Sequence, residues 1–301
     1  MKIDRKIFFG ILQDRYILEN EPMNRHTTFR TGGPADMLIM PQNVGELASV
    51  FTLLKSEGVP FHIMGRGSNL LVSDKGFRGA IVKLAYGDIV ANGNTLRADA
   101  GVSLKDIANK AVAHSLTGLE FAAGIPGTLG GGVCMNAGAY DGELGDLVTA
   151  VLVLKPDGQP SVLSAGQMDF SYRHSVIEEK DYTVLAVSFD LTPGDPEQSR
   201  TLMAEYADRR RQKQPLEYAS AGSTFKRPEG HYAGALIEKC GLKGKNVGGA
   251  QVSEKHAGFI INTGNATSQD ILSLLREVQH IVADRTDVTL EPEIKLWGEF
   301  E

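Results

Sequence analysis

Cysteine is almost missing from this chain of 301 residues. Only Cys134 and Cys240 occur, far apart and outside any C-x-x-C or Cys/His cluster. That argues against a zinc knuckle or a disulfide framework and fits a reducing compartment. An excess of positive charge is also lacking. Against 37 Asp and Glu stand 31 Lys and Arg, for a formal net charge of -6, so no basic stripe is available for a phosphate backbone and nucleic acid is not an expected partner. The seven histidines show no H-E-x-x-H or other ligand spacing, and no metal is expected. Long apolar runs are absent too, since nothing approaches the roughly 18 residues that a bilayer crossing needs. The short run Ile7 to Leu12 is crowded by Arg5, Lys6, Asp14 and Arg15, with no small-residue cleavage pattern after it. It reads as an amphipathic lead-in helix, and the protein is expected to be soluble, cytoplasmic and monomeric.

What is present is an interleaving of short β-rich runs and amphipathic helices, an α+β pattern. Met37–Met40, Phe61–Met64, Leu70–Ser73, Ala80–Leu84 and Thr95–Asp99 read as strands bounded by Gly, Pro, Asn or Asp. Val44, Leu47, Ala48, Phe51 and Leu54 repeat at helical spacing, as do Leu104, Ile107, Ala108, Ala111 and Val112. Longer β runs, Val148–Leu154 and Tyr182–Leu191, precede the turn-rich Thr192-Pro-Gly-Asp-Pro196, where a domain junction is expected. A charged helix over 197–213 follows, then strands near Gly258–Asn262 and Val288–Trp297 and a helix from Ser268 to Ala283, with Thr267 or Ser268 as N-cap. This divides the chain into a region of residues 1–195, split into two subdomains near residue 85, and a smaller α/β domain of residues 196–301.

Two glycine-rich segments carry the chemistry. Gly65-Arg66-Gly67-Ser68-Asn69 follows a predicted strand, and its two glycines let successive N–H groups turn toward one point, a nest suited to a pyrophosphate. It is not a dinucleotide fingerprint, because Leu70 stands where a third glycine is required. A tight β-hairpin turn accounts for the same residues equally well. The second segment runs from Ala123 through Gly124-Ile125-Pro126-Gly127 and Gly130-Gly131-Gly132 to Asn136-Ala137-Gly138 and Tyr140, with six glycines in eighteen residues. Interspersed Ile125, Leu129, Val133 and Met135 predict a buried loop pressed close to a flat, extended cofactor rather than a flexible linker.

These segments, with Thr28-Phe-Arg-Thr-Gly-Gly-Pro34, resemble the FAD-binding fold of the vanillyl-alcohol-oxidase (PCMH) type. The resemblance narrows to the UDP-N-acetylenolpyruvoylglucosamine reductase family through Ser171-Tyr-Arg-His-Ser175, Gly222-Ser-Thr-Phe225, Leu236-Ile-Glu-Lys-Cys-Gly-Leu-Lys-Gly244, Gly248-Gly-Ala-Gln-Val252 and Leu290-Glu-Pro-Glu-Ile294. It covers nearly the whole chain, in order. It implies a two-part FAD-binding domain, then a substrate-binding domain whose last strand returns toward the flavin. Gly65 to Leu70, Ala123 to Gly127, Gly130, Gly131 and Asn136 to Gly138 would hold FAD. No His or Cys lies within Gly65–Asn69, so non-covalent FAD is implied, with NADPH as co-substrate.

The implied reaction reduces a vinyl ether bearing a carboxylate, and each step makes a demand on the protein. Hydride addition pushes charge onto an existing anion, so fixed cations or donors are needed. Arg173 matches the family's catalytic arginine, Ser223 its proton donor and Glu293 its catalytic carboxyl. In a strand, Glu291 and Glu293 share a face, so the local pattern alone leaves both open. Tyr172, Lys213, Lys226, Arg227 and His256 fall where the family contacts its nucleotide-sugar, although many relatives carry asparagine at the position of Arg227. About fifty residues separate Arg173 from Ser223, too few for the tyrosine-bearing lid of one subgroup, so the chain resembles the shorter, second type. A related flavin oxidase has no use for the Gly-Ser-Thr-Phe and Glu-Pro-Glu-Ile motifs. A non-catalytic FAD or UDP-sugar binder needs the cations but not the proton donor.

Overall fold

The computed structural model describes residues 3–301. Its first lobe is a four-stranded sheet of β1 (Ile17–Pro22), β2 (Pro34–Ile39), β3 (Phe61–Met64) and β5 (Phe77–Lys83), in the order β1-β2-β5-β3. Helix α1 (Val44–Ser56) joins β2 to β3, and β5 runs parallel to both. Asn43 caps α1 by accepting from the Glu46 amide, and the helix buries Leu47, Val50, Phe51 and Leu54, the i, i+3, i+4, i+7 stripe of a core-facing helix.

The chain then enters a second, wholly antiparallel sheet. Its strands run in the order Pro160–Ser164, Val148–Leu154, Thr183–Asp190, β7 (Thr95–Asp99) and β6 (Ile89–Asn92). Helix α2 (Leu104–Ala113), capped by Ser103, and the short α3 (Leu129–Cys134) and α4 (Val176–Glu179) also belong here. One apolar core is continuous across both lobes, from Met37 and Val82 to Val151 and Phe189.

Helix α5 (Pro196–Lys213) lies beyond the predicted junction, yet Met203 and Tyr206 pack on this same core. A separate core builds the C-terminal part, where α6 (Ala233–Lys239) and α7 (Ser268–Thr286) enclose the strands Ala250–Val252 and Ile260–Asn262. Thr267 and Asp270 form a capping box at the start of α7. The final strand, Lys295–Trp297, leaves this part and pairs in parallel with β4 (Leu70–Val72).

Three expectations need correction. The lead-in helix is replaced by two 3-10 turns, Arg5–Phe8 and Asp14–Tyr16, because Gly10 at φ 91° breaks the run while Phe8 and Leu12 turn into the core. The Gly-rich segment is not a loop throughout, since Leu129–Cys134 is helical, anchored by buried Leu129 and Val133. Val288–Trp297 is strand only over its last three residues, because Pro292 has no amide to offer a ladder.

Candidate functional site

The loop Gly65–Asn69 joins β3 to β4, but those strands belong to different sheets, so it is not a hairpin turn. Gly67 has φ 66°, and a Cβ there would stand 2.2 Å from the His26 carbonyl oxygen, so only glycine fits. The Thr28 amide donates to the Gly67 carbonyl (3.1 Å), which locks the Thr28–Pro34 motif under the loop. Among the described residues, the amides of Arg66, Gly67, Ser68 and Asn69 donate to no protein acceptor, leaving a run of free donors suited to an anion.

The second glycine segment faces this loop. A Cβ on Gly65 would lie 2.1 Å from Thr128 Oγ1, and one on Gly127 would lie 3.7 Å from Ser68 Oγ. Between the lobes opens a cleft of about 370 Å³, lined by Phe61, Gly65, Thr128, Gly130, Gly131 and Tyr182 among others. Its apolar walls and backbone-lined edge fit a flat aromatic group carrying phosphates. Cys134 also lines it, and burial pushes this thiol up to about 12, so it stays protonated at neutral pH. Asn136 is fully buried, donating to Glu143 Oε1 (2.8 Å) and Ser171 O (3.1 Å) and accepting from the Gly145 amide (2.8 Å). It holds the end of the Gly-rich segment against the loop carrying Tyr172 and Arg173.

Arg173, at φ 56°, donates from Nε to Glu293 Oε1 at 2.7 Å. The pair spans 120 residues of sequence, and several backbone bonds fix the carboxyl side. The Glu293 amide donates to the Thr224 carbonyl (2.8 Å), its own carbonyl accepts from Asn69 Nδ2 (3.1 Å), and the Lys295 amide donates to Asn69 O (2.9 Å). The Gly65–Asn69 loop, the Ser223–Thr224 turn and the Tyr172–Arg173 loop therefore meet at one residue, Glu293. Burial pushes the Glu293 pKa up, with Arg173 and then Lys226 opposing. Glu291 instead points out to pair with Lys226 (2.5 Å) and is 67% exposed. The shared strand face expected for the two glutamates is not formed, because the backbone around Pro292 makes only an isolated bridge to Phe225.

Ser223 is exposed, beside Thr224, whose hydroxyl is buried and accepts from the Ile260 amide (3.0 Å). The Arg227 amide donates to the Tyr172 hydroxyl (3.1 Å). Lys213 is exposed at the end of α5. His256 accepts from the Gly258 amide at Nδ1 (3.1 Å), and burial lowers its pKa, with Lys243 and Lys213 adding to the shift.

Arg210 was not singled out from the sequence. Its Nη1 donates to the Gly124 carbonyl and its Nε to Gln214 Oε1 (2.8 Å), which ties α5 to the second glycine segment. The triple arginine run disguised it as a solvated face. Its spacing of four from Tyr206, a residue stacked on Tyr140 at 4.1 Å, was the available signal.

Two lobes facing each other across glycine loops, with a half-buried carboxyl and an arginine at their edge, define a flavin-binding oxidoreductase. The family model for an FAD binding domain matches residues 35–164, and that of the UDP-N-acetylenolpyruvoylglucosamine reductase C-terminal domain matches residues 214–297. The reductase of Caldanaerobacter subterraneus subsp. tengcongensis is 52% identical over 290 residues, 96% of each chain. That of Clostridium kluyveri is 49% identical, covering 96% of this chain and 95% of its own. The crystal structure of the Thermus caldophilus reductase superposes with a TM-score of 0.78 at 34% identity, over 92% of this chain and 98% of that one. The chain belongs to the UDP-N-acetylenolpyruvoylglucosamine reductase family.

Proposed function

We propose that this chain reduces UDP-N-acetylglucosamine enolpyruvate to UDP-N-acetylmuramate with NADPH, through FAD held in the cleft between the lobes. The observation that carries this reading is the Arg173–Glu293 pair at 2.7 Å, tied through Asn69 to the loop that would hold the cofactor phosphates. When bound, the flavin supplies the hydride, taken from NADPH and delivered to the β carbon of the enolpyruvyl group. Gly65 to Leu70 would cradle the pyrophosphate, with the free amides of Arg66 to Asn69 as donors. Ala123 to Gly127, Gly130, Gly131 and Asn136 to Gly138 form the opposite wall.

The remaining work falls to side chains. As hydride arrives, negative charge grows on a carboxylate already charged, and the guanidinium of Arg173 grips those oxygens with parallel donors. Taking them draws Arg173 away from Glu293. The carboxyl of Glu293, already raised by burial, then loses its main opposing influence while facing a second anion. Both changes favour its neutral form, which donates a hydrogen bond instead of repelling the substrate. The Ser223 hydroxyl gives its proton to the α carbon. A serine is a poor acid, and its exposed position beside Thr224 supports rapid reprotonation from solvent.

Lys213, Lys226, His256, Tyr172 and Arg227 line the approach for the nucleotide-sugar. In this reading the chain acts as a monomer in the cytoplasm, without metal, nucleic acid or membrane partners. No helix among the described residues is long and apolar enough to cross a membrane. The test is single turnover: NADPH should bleach the bound flavin, and the enolpyruvyl substrate should restore its colour. A protein that purifies without flavin, or whose reduced flavin ignores the substrate, refutes the proposal.

A further inference from the structure

Beneath the first glycine loop stands a relay of side chains that the proposed reaction does not use. Lys83 closes β5 and pairs in parallel register with Met64, the residue before Gly65, so both side chains leave the same face of the sheet. Met64 reaches under the loop, where its Cε would stand 3.0 Å from a Cβ on Gly67. Lys83 Nζ lies 3.0 Å from His26 Nδ1, and His26 Nε2 lies 3.0 Å from Glu21 Oε1. An ammonium can only donate, so Nδ1 accepts from Lys83 and the Nε2–H is left for the carboxylate. The relay meets the loop at its middle member, because a Cβ on Gly67 would strike the His26 carbonyl oxygen.

Two features show that this relay is built around charge rather than packing. Its imidazole and carboxylate are only 13% and 14% exposed and Lys83 is half-buried, yet among the described residues no carboxylate lies within ion-pair distance of Lys83 or of Arg66. The relay's single carboxylate also meets Arg25, at 3.6 Å. Burial lowers the Lys83 pKa, the charge of Arg66 adds to that shift, and Glu21 opposes it. Cations held this close with too little counter-charge are costly until an anion arrives. The free amides of Arg66 to Asn69 call for the same ligand, since they lack an acceptor.

We infer that Lys83 is a counter-ion for the diphosphate of the cofactor, held beneath the Gly65–Asn69 loop by His26 and Glu21 as positioning residues. This rests on the proposed seat of FAD, and it adds to the loop's backbone donors a fixed charge supplied from β5.

The test uses protein stripped of flavin and follows binding of FAD, riboflavin and inorganic pyrophosphate, none of which requires turnover. Lys83→Met should raise the FAD Kd about tenfold, the loss of one charge-assisted contact. It should also flatten the salt dependence of FAD binding and leave riboflavin, which has no phosphate, unchanged. Lys83→Arg should restore most of the affinity. His26→Leu should weaken FAD severalfold, whereas His26→Gln, which keeps an acceptor for Lys83 and a donor for Glu21, should bind like wild type. Melting of the stripped protein separates this from a purely structural role. Lys83→Met should melt no lower than wild type, because it removes a poorly compensated cation, while the rise in melting temperature given by FAD shrinks. A lower melting temperature with unchanged FAD affinity, or equal weakening of FAD and riboflavin, overturns the inference. Pyrophosphate binding that depends on Lys83, in a protein without affinity for FAD, would sustain the anion site and refute the proposed seat of FAD.

Discussion

At the residue scale the proposed mechanism gives three groups separable duties, and half-reactions separate them. Ser223→Ala removes only the proton for the α carbon. Flavin reduction by NADPH should stay near wild type while reoxidation by the enolpyruvyl substrate slows by about 10²- to 10⁴-fold, the usual range for a lost general acid. Stopped-flow traces of flavin colour measure both, and equal damage to the two steps would remove Ser223 from this role. Glu293 is governed by burial, which raises its pKa, against Arg173, which lowers it. The protonated form is the working one, so the substrate half-reaction should fall as pH rises through a pKa above the ordinary carboxylate value. Glu293→Gln, which cannot ionise, should flatten that alkaline limb; a limb that persists in the variant would place the titration elsewhere.

At the element scale the two glycine segments matter more than any helix. Gly67→Ala places a methyl 2.2 Å from a backbone oxygen, at a φ of 66° that costs an L-residue about 1–2 kcal/mol by itself. The purified variant should lose FAD, with a cofactor Kd raised at least a hundredfold by fluorescence titration; wild-type flavin content would show that the loop does not touch the cofactor. Several elements were legible from the sequence. The strands Phe61–Met64, Thr95–Asp99 and Val148–Leu154 occur at the predicted bounds, since each is a compact run flanked by turn residues. Others were not. Strand β1 reads Ile-Leu-Glu-Asn-Glu-Pro, an edge strand whose Glu19 and Asn20 face solvent, so neither alternation nor propensity marks it. Helix α3 holds three consecutive glycines and owes its form to packing of Leu129 and Val133. The site was legible as a set of residues through the family motifs. Its geometry was not, because the Arg173–Glu293 contact and the pairing of Lys295–Trp297 with β4 join segments that no local pattern connects.

At the scale of the whole molecule, three half-buried histidines should weaken the fold in acid. His26, His62 and His256 all have pKa values lowered by burial, so between the folded and unfolded values the unfolded chain binds more protons. Their contribution is present above the unfolded pKa, near 6.5, and is lost as pH falls through the lower folded values. His62 stacks on Trp297 at 4.5 Å, so acid should first loosen the C-terminal strand. Melting temperature should drop as pH falls below about 6.5, and substituting His62 by Phe should reduce that drop. The lobes, the C-terminal part and the returning strand together serve one purpose, bringing a glycine loop, a carboxyl and an arginine to the same edge. The most direct measurement of that purpose is NADPH consumption by the purified yellow protein, with and without UDP-N-acetylglucosamine enolpyruvate, with the product identified by mass. One NADPH consumed per substrate, and a product two hydrogens heavier, is the predicted result; NADPH loss indifferent to the substrate, or no such product, contradicts it.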